Sequence, residues 1–267
     1  MLITLPDKHV IDMVNLVSIM KDANIIALGL YQEYLTKDDL DINYKNDNNY
    51  MSPVTNADLI VNNYIIQQLF ELHPDIPIMS EENKEIPYLI RKENEIYWCI
   101  DPIDGTKEFI NKNGEFTINI GLVYNNKPVI GIVGYPVNDI IYYAAKDKGA
   151  YKIMNKLTFP LMTRVRNNPV TIICSRSHSN METTRFLEHF VDYQKISRGS
   201  SLKFMAVAEG LVDIYPRLVG CMEWDTCASH IIVTEAGGRI ELYNNPKETL
   251  TYNKENLLNP YFVVYGE

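Results

Sequence analysis

Three apolar stretches in the middle of the chain constrain its fold more than any other sequence feature. They cover residues 117–124, 128–135 and 140–145, and only short turns containing Asn, Pro or Asp separate them. Short apolar runs bounded by such turns predict β-strands. Because links this short join antiparallel neighbours, the three stretches predict a meander. An earlier apolar run at residues 96–100 predicts one more strand, which ends at Asp101.

Helical patterns lie on both sides of this predicted sheet. Before it, apolar spacing predicts helices over residues 7–34 and 56–72, and Thr55 can cap the second helix. After it, short strands and helices alternate, as in α/β layers. The later strands are predicted at residues 170–174 and 212–216, and the later helices at 182–190, 202–209 and 226–236.

The chain length predicts one compact body of two lobes, since 267 residues exceed what one small core needs. A stretch rich in Lys, Asn and Pro at residues 155–169 predicts the boundary, which divides the chain into lobes 1–157 and 158–267. The polar residues 37–50 predict a loop.

The net charge of −9 and the lack of a long basic run exclude a protein that binds duplex nucleic acid. An acidic protein also repels anionic ligands. A phosphorylated substrate would therefore need a local basic pocket or bound cations. Oligomeric state cannot be predicted from this sequence.

The cysteines and the apolar segments bear on the compartment. Four cysteines without a CxxC pair are typical of reduced thiols in an intracellular protein. The N-terminus lacks the pattern of a secretory signal, and no run of about 18 consecutive apolar residues predicts a membrane span. We therefore expect a cytoplasmic protein without a transmembrane segment, with peripheral attachment to the inner face of the cell membrane as an alternative.

The strongest chemical signal is the hexapeptide DPIDGT at residues 101–106, directly after a predicted strand. The carboxylates of Asp101 and Asp104 and an intervening carbonyl can face one small volume and offer the oxygen ligands that Mg²⁺ prefers. Gly105 permits a sharp turn, and the amides that follow it can bind phosphate. Such a site suits hydrolysis by a metal-activated water. The alternative is a plain Asp-rich turn with a helix cap.

Three further acidic segments could complete this site. Glu81 follows a short apolar strand, Asp225 stands at a predicted helix N-cap, and Asp58 falls in the first turn of the helix over residues 56–72. Each has a simpler explanation: a solvated loop for Glu81, capping for Asp225, and the helix dipole for Asp58.

Taken together, these segments resemble the lithium-sensitive, magnesium-dependent phosphatases. That superfamily includes inositol monophosphatase, fructose bisphosphatase and 3′(2′),5′-bisphosphate nucleotidase. Its signature is a Glu after one strand, then DPxDGT, then a distant WD before a helix. The sequence has these parts in that order, at Glu81, residues 101–106 and Trp224-Asp225.

The resemblance narrows to the CysQ-type bisphosphate nucleotidases and spans nearly the whole chain. The matching segments are SPVT at 52–55, DPIDGTKEFI at 101–110, NGEFTINI at 113–120, SRSH at 175–178, GSSLKF at 199–204, AEG at 208–210, YPR at 215–217, WDT at 224–226 and LLNP at 257–260. The resemblance implies a layered αβαβα sandwich of the sugar-phosphatase type. It also implies hydrolysis of the 3′-phosphate of adenosine 3′,5′-bisphosphate, which recycles that nucleotide in sulfur assimilation.

The resemblance assigns roles to the acidic residues. Glu81, Asp101 and the Ile103 carbonyl would hold one magnesium ion, and Asp101, Asp104 and Asp225 a second. The resemblance also implies a third, weaker ion near Glu81 as an alternative to two ions. The attacking water would be positioned by Asp58 and Thr106, with Glu81 beside it, and the scissile phosphate would be bound by the Gly105 and Thr106 amides.

Recognition of the nucleotide is expected from the second lobe. The residues that would receive the 5′-phosphate, the ribose or the adenine are Ser175, His178, Gly199, Ser200, Ser201, Lys203 and Arg217, with Asp225 beside the substrate. Simpler explanations are a loop histidine for His178, an N-cap for the two adjacent serines, and surface solvation for Arg217.

Two other functions fit the sequence less well. One is the same chemistry on an inositol or sugar phosphate, against which GSSLKF and SRSH favour the nucleotide. The other is a non-catalytic magnesium or nucleotide sensor, against which the intact pair Asp58 and Thr106 argues. A nuclease is disfavoured because no basic face is predicted.

Overall fold

A computed structural model describes residues 1–37, 42–47, 50–176 and 180–267. The helices in these ranges are α1 (Met13–Lys37), α2 (Asn56–Leu72), α3 (Tyr88–Arg91), α4 (Thr106–Ile110), α5 (Met181–Leu187), α6 (Leu202–Ala208) and α7 (Glu223–Glu235). The strands are β1 (Leu2–Thr4), β2 (Val10–Asp12), β3 (Ile42–Asp47), β4 (Tyr50–Thr55), β5 (Ile78–Ser80), β6 (Ile96–Asp104), β7 (Thr117–Tyr124), β8 (Lys127–Tyr135), β9 (Ile140–Ala145), β10 (Ala150–Met154), β11 (Leu157–Pro160), β12 (Val170–Ser175), β13 (Tyr193–Arg198), β14 (Ile214–Arg217), β15 (Arg239–Leu242) and β16 (Phe262–Tyr265).

The larger sheet has seven strands in the order β11-β10-β9-β8-β7-β6-β5. From β6 to β11 each strand pairs antiparallel with the next, which confirms the predicted meander. Only β5 runs parallel to its neighbour, β6. The carboxyl ends of these two strands therefore lie at the same edge of the sheet.

Helices cover both faces of the larger sheet and both faces of a second sheet. Helices α1 and α2 pack on the outer face of the larger sheet, and α6 and α7 lie between it and the five-stranded sheet β13-β12-β14-β16-β15. Helix α5 covers the far side of the second sheet. The layers are thus αβαβα, which confirms the predicted fold. The division into lobes at residue 157 stays a prediction.

Helix α1 is the one helix in the described part of the chain that could cross a membrane by length and composition alone, with mean hydropathy 1.4 in its most apolar window. One face of α1, including Leu16, Met20 and Ala23, is fully buried in the core with α2 and the larger sheet. A core helix passes the same test, so α1 is weak evidence for a membrane span.

Several sequence predictions differ from the structure. Helix α1 begins at Met13 rather than at residue 7, because β1 and β2 form a hairpin before it. The loop predicted at residues 37–50 is wrong where the structure describes it: Lys37 ends α1, and β3 pairs antiparallel with β4. Backbone hydrogen bonds hold such a hairpin together, so it can form in a polar segment that has no apolar strand pattern. Residues 38–41 and 48–49 lie outside the described ranges.

Candidate active site

An irregularity in β6 brings Asp101 and Asp104 to the same cavity. Side chains three positions apart in a regular strand point to opposite faces. Asp101 pairs with Asn119 and Asp104 with Thr117, so β6 contains one more residue than β7 over this interval. Such a bulge re-aims side chains next to functional sites.

A left-handed turn follows the bulge. Gly105 has φ 93°, a conformation in which a side chain is strained, and α4 begins directly after it. A Cβ on Gly105 would lie 3.2 Å from the Cβ of Ser200. The turn therefore touches a loop of the second sheet. At its exit, the Thr106 hydroxyl lies 3.3 Å from the Ile103 carbonyl oxygen.

Glu81 and Asp225 reach the same place from other elements. Glu81 follows β5, and its amide donates to the Ile100 carbonyl at 3.1 Å, which places it beside Asp101. Asp225 lies in the first turn of α7, where its Oδ2 accepts the Met222 amide at 2.8 Å. Carboxylate oxygens of Glu81, Asp101 and Asp225 all lie within 4.8 Å of one another.

The predicted N-cap role of Asp225 is wrong, because α7 begins at Glu223 and Asp225 is its third residue. Apolar periodicity marks the buried part of a helix better than its first turn. Asp58 occupies the same third position in α2, whose N-cap is Thr55 as predicted. The Oδ2 atom of Asp58 accepts the Thr55 amide at 2.8 Å, and Oδ1 accepts the Thr106 hydroxyl at 3.1 Å.

The crowded carboxylates repel one another. Burial, with the nearby Asp104 and Glu81, raises the pKa of Asp225 to about 8. Burial also raises the pKa of Asp58 to about 6, and Glu81 adds to this rise. Asp104 has a raised pKa as well, mainly because it is buried. Several carboxylates that lie this close together offer the oxygen ligands that a hard divalent cation prefers, so the donor set fits magnesium.

Basic residues from the second half of the chain line the same cavity and form its basic wall. Lys203 and Arg217 both line it. Burial and the nearby Arg217 cation lower the pKa of Lys203 to about 8. Ser200 lines it too, and its buried hydroxyl has no hydrogen-bond partner within the described ranges. A polar ligand could supply that partner.

The remaining predicted substrate contacts differ in their surroundings. Ser175 lines the cavity. The Ser201 hydroxyl is buried and bonds to Thr117 at 2.6 Å and Asn119 at 2.9 Å. Gly199 does not line the cavity, and its amide donates to Glu115 at 2.8 Å. His178 lies outside the described residues.

The cavity has a volume of about 440 Å³ and contains the acidic and the basic groups together. Its apolar walls include Phe204, Tyr215 and Leu258, to which no site role was assigned from the sequence. The sequence contained a clue to these lining residues, because each lies in a segment that carries the family resemblance: 199–204, 215–217 or 257–260.

Comparisons with known proteins agree with this architecture. The family model described as "Inositol monophosphatase family" matches residues 12–260. The 3′(2′),5′-bisphosphate nucleotidase CysQ of Salmonella typhimurium is 43% identical over 214 residues, which cover 80% of this chain and 85% of that protein. The protein of the same name from Haemophilus influenzae is 36% identical over 243 residues, covering 90% and 88%.

Solved structures show the same fold. CysQ from Bacteroides thetaiotaomicron superposes with a TM-score of 0.81 at 34% identity, covering 95% of this chain and 96% of that one. Inositol monophosphatase II from Staphylococcus aureus superposes with a TM-score of 0.71 at 21% identity, covering 93% and 86%, and shares the fold. The family match over residues 12–260, together with relatives of this identity and coverage, shows that the chain belongs to the inositol monophosphatase family.

Proposed function

We propose that this protein hydrolyses the 3′-phosphate of adenosine 3′,5′-bisphosphate and releases AMP and inorganic phosphate. One observation carries the proposal: a single cavity of about 440 Å³ is lined both by carboxylates, which form its acidic wall, and by two cationic side chains, buried Lys203 and half-buried Arg217. Such a cavity can hold a ligand whose two ends are both phosphorylated. The bisphosphate nucleotidases at 36–43% identity support this choice of substrate.

The acidic wall would hold the metal. Glu81, Asp101 and the Ile103 carbonyl would bind one magnesium ion, and Asp101, Asp104 and Asp225 a second, with room for a third near Glu81. When bound, magnesium polarises the phosphate and lowers the pKa of a water. It would also offset the net charge of −9 that otherwise repels the substrate.

The protein's own groups would orient the reactants. Thr106 and Asp58, joined at 3.1 Å, would hold the attacking water, with Glu81 beside them. The amides of Gly105 and Thr106, at the start of α4, would bind the scissile phosphate. A fixed approach of water to phosphorus lowers the entropic part of the barrier.

The basic wall would receive the other end of the substrate. Lys203, Arg217 and the Ser200 hydroxyl can bind a 5′-phosphate. Ser175, Ser201 and Gly199 would shape this end, and His178 would lie against the adenine. The four cysteines, all free and buried, fit a reducing compartment, so we place the reaction in the cytoplasm.

The test is phosphate release from adenosine 3′,5′-bisphosphate, inositol 1-phosphate and fructose 1,6-bisphosphate, each with and without Mg²⁺. We expect Mg²⁺-dependent release from the nucleotide at a kcat/KM at least roughly a hundredfold above that of the other two, as expected where buried polar groups recognise the substrate. Preference for inositol phosphate would reject the nucleotide assignment. Binding of Mg²⁺ and nucleotide without release would favour the sensor.

A further inference from the structure

A buried carboxylate outside the cavity joins the two halves of the site. Glu115 lies between α4 and β7 and is only 7% exposed. Its oxygens accept two bonds from the Arg176 guanidinium, at 2.8 and 2.9 Å, and one from the Gly199 amide at 2.8 Å. The Arg198 guanidinium lies 3.5 Å away.

The partners of Glu115 stand directly beside residues that line the cavity. Arg176 follows Ser175, and Gly199 precedes Ser200. Arg176 and Arg198 also mark the ends of the parallel strands β12 and β13, where the Arg176 amide donates to the Arg198 carbonyl at 3.1 Å. One carboxylate from the segment before β7 therefore binds residues at the ends of two adjacent strands of the second sheet.

Residues 199 and 200, beside this bond, are in close contact with α4 and with the turn at Gly105. A Cβ on Gly199 would lie 2.5 Å from Cγ of Glu108, in α4, and 2.8 Å from the Glu115 carbonyl oxygen. A Cβ on Gly105 would lie 3.2 Å from the Ser200 Cβ. Residues 199 and 200 therefore pack closely against α4 and the turn at Gly105. The bond from the Gly199 amide to Glu115 opposes movement of these residues away from that contact.

We infer that Glu115 is a positioning residue that fixes the distance between the acidic wall and the serine loop at residues 199–201. A substrate phosphorylated at both ends needs this distance, whereas a small monophosphate needs the acidic wall alone. Glu115 thus confers preference for the longer substrate without touching it. The inference rests on the proposed function, because that function sets the two-ended substrate.

The exposure of the arginines separates this role from general stabilisation. The Arg176 and Arg198 side chains are 49% and 53% exposed, so water can hydrate both cations when Glu115 is neutralised in Glu115→Gln. Loss of the bonds should therefore change alignment more than folding. A displacement near 1 Å is enough to reduce catalysis substantially.

The experiment compares Glu115→Gln and Arg176→Gln with the wild type on adenosine 3′,5′-bisphosphate and on p-nitrophenyl phosphate, in saturating Mg²⁺. We expect kcat/KM for the bisphosphate to fall roughly tenfold, largely through KM, with kcat/KM for the monophosphate within about twofold. Glu209→Gln is the matched control. Glu209 bonds Tyr142 and Lys152 of the larger sheet, and none of the three lines the cavity.

The control should lower the melting temperature while leaving the ratio of the two kcat/KM values unchanged. The inference is overturned if Glu115→Gln has the wild-type ratio of the two kcat/KM values, whether both values are unchanged or both fall equally. If the wild type fails to hydrolyse the bisphosphate, the proposed function fails. Amide hydrogen exchange then still tests whether Glu115 holds residues 199–203 in place. Exchange at residues 199–203 should then be faster in Glu115→Gln, and unchanged exchange would overturn the inference.

Discussion

The Thr106 hydroxyl lies 3.1 Å from Oδ1 of Asp58 and links the turn after β6 to the first turn of α2. The other Asp58 oxygen accepts the Thr55 amide, so the carboxylate is held at both ends. Burial raises its pKa to about 6. A fixed acceptor with a pKa close to neutrality is suited to orient a water and to share its proton.

Replacement of Thr106 by Val keeps the side-chain shape and removes the hydroxyl. We expect kcat to fall roughly a hundredfold or more, with little change in KM, because only orientation of the water is lost. Steady-state kinetics on the bisphosphate and a thermal melt would test this. Thr106→Ser, which retains the hydroxyl, serves as the control. A kcat within twofold of wild type in Thr106→Val would rule out the assigned role.

Asp104→Ala should abolish turnover while the fold survives. Loss of a metal ligand removes several kcal/mol of transition-state stabilisation, or roughly a thousandfold in rate. Burial raises the pKa of Asp104, so its carboxylate does not stabilise the metal-free fold, and the melting temperature without metal should not fall. The measurements are phosphate release, Mg²⁺ binding and melting, with exposed Asp192→Ala as control. Near-wild-type activity in Asp104→Ala would refute the metal role.

Local signals made much of the fold predictable. The apolar runs of β7, β8 and β9 and the turns between them are contained in single short segments, and so is the Thr55 cap of α2. The edge strand β13 has no such signal. It is largely exposed, its residues are mostly polar, and its pairing with β12 forms only after the chain has folded back.

The candidate site residues were proposed from the sequence, but the geometry that brings them together could not be. Asp101 and Asp104 share a cavity only because β6 bulges, and Pro102 is the one local hint of that irregularity. Glu115 lies in a segment that the family resemblance covers, yet its partners Arg176 and Gly199 are 61 and 84 positions further along. Contacts between residues so far apart leave no periodic pattern in the sequence.

Magnesium should oppose the pH dependence of stability of the metal-free protein. The pKa of Asp225 is about 8 in the folded protein, against 3.8 for an ordinary aspartate. Between these values the folded state binds more protons than the unfolded chain, so the free energy of unfolding falls as pH rises. Asp58, with a pKa of about 6, acts in the same direction. The metal must displace these protons, so its stabilising effect should grow with pH.

Melting curves from about pH 5 to about pH 8, in EDTA and in saturating Mg²⁺, would measure this effect, since the window lies between the unfolded and folded pKa values of Asp225. Asp225→Asn cannot ionise and should flatten the curve in EDTA. A stabilisation by Mg²⁺ that is equal at both ends of this range would contradict the linkage between the carboxylates and the metal.

The position of Asp225 should depend on the packing of α7 against β8, which a substitution at Gly131 would disturb. Gly131 lies in β8 beneath α7, where an added Cβ would meet the Ala228 carbonyl oxygen at 2.2 Å. That atom is backbone, so Gly131→Ala must displace the helix whose first turn contains Asp225. We expect a loss of about 1–3 kcal/mol in the free energy of unfolding from overpacking, and reduced Mg²⁺ affinity and kcat.

The same substitution at Gly29 is the matched control. Gly29 is exposed within α1, and a Cβ there would meet nothing within 4 Å. Gly29→Ala should raise the free energy of unfolding by about 0.5–1 kcal/mol and leave kcat unchanged, because it only improves helix propensity. Urea unfolding and kinetics of both variants separate the effects. If Gly131→Ala lost stability and kept full Mg²⁺ affinity, Asp225 would be held by its own turn and not by the packing of α7 on β8.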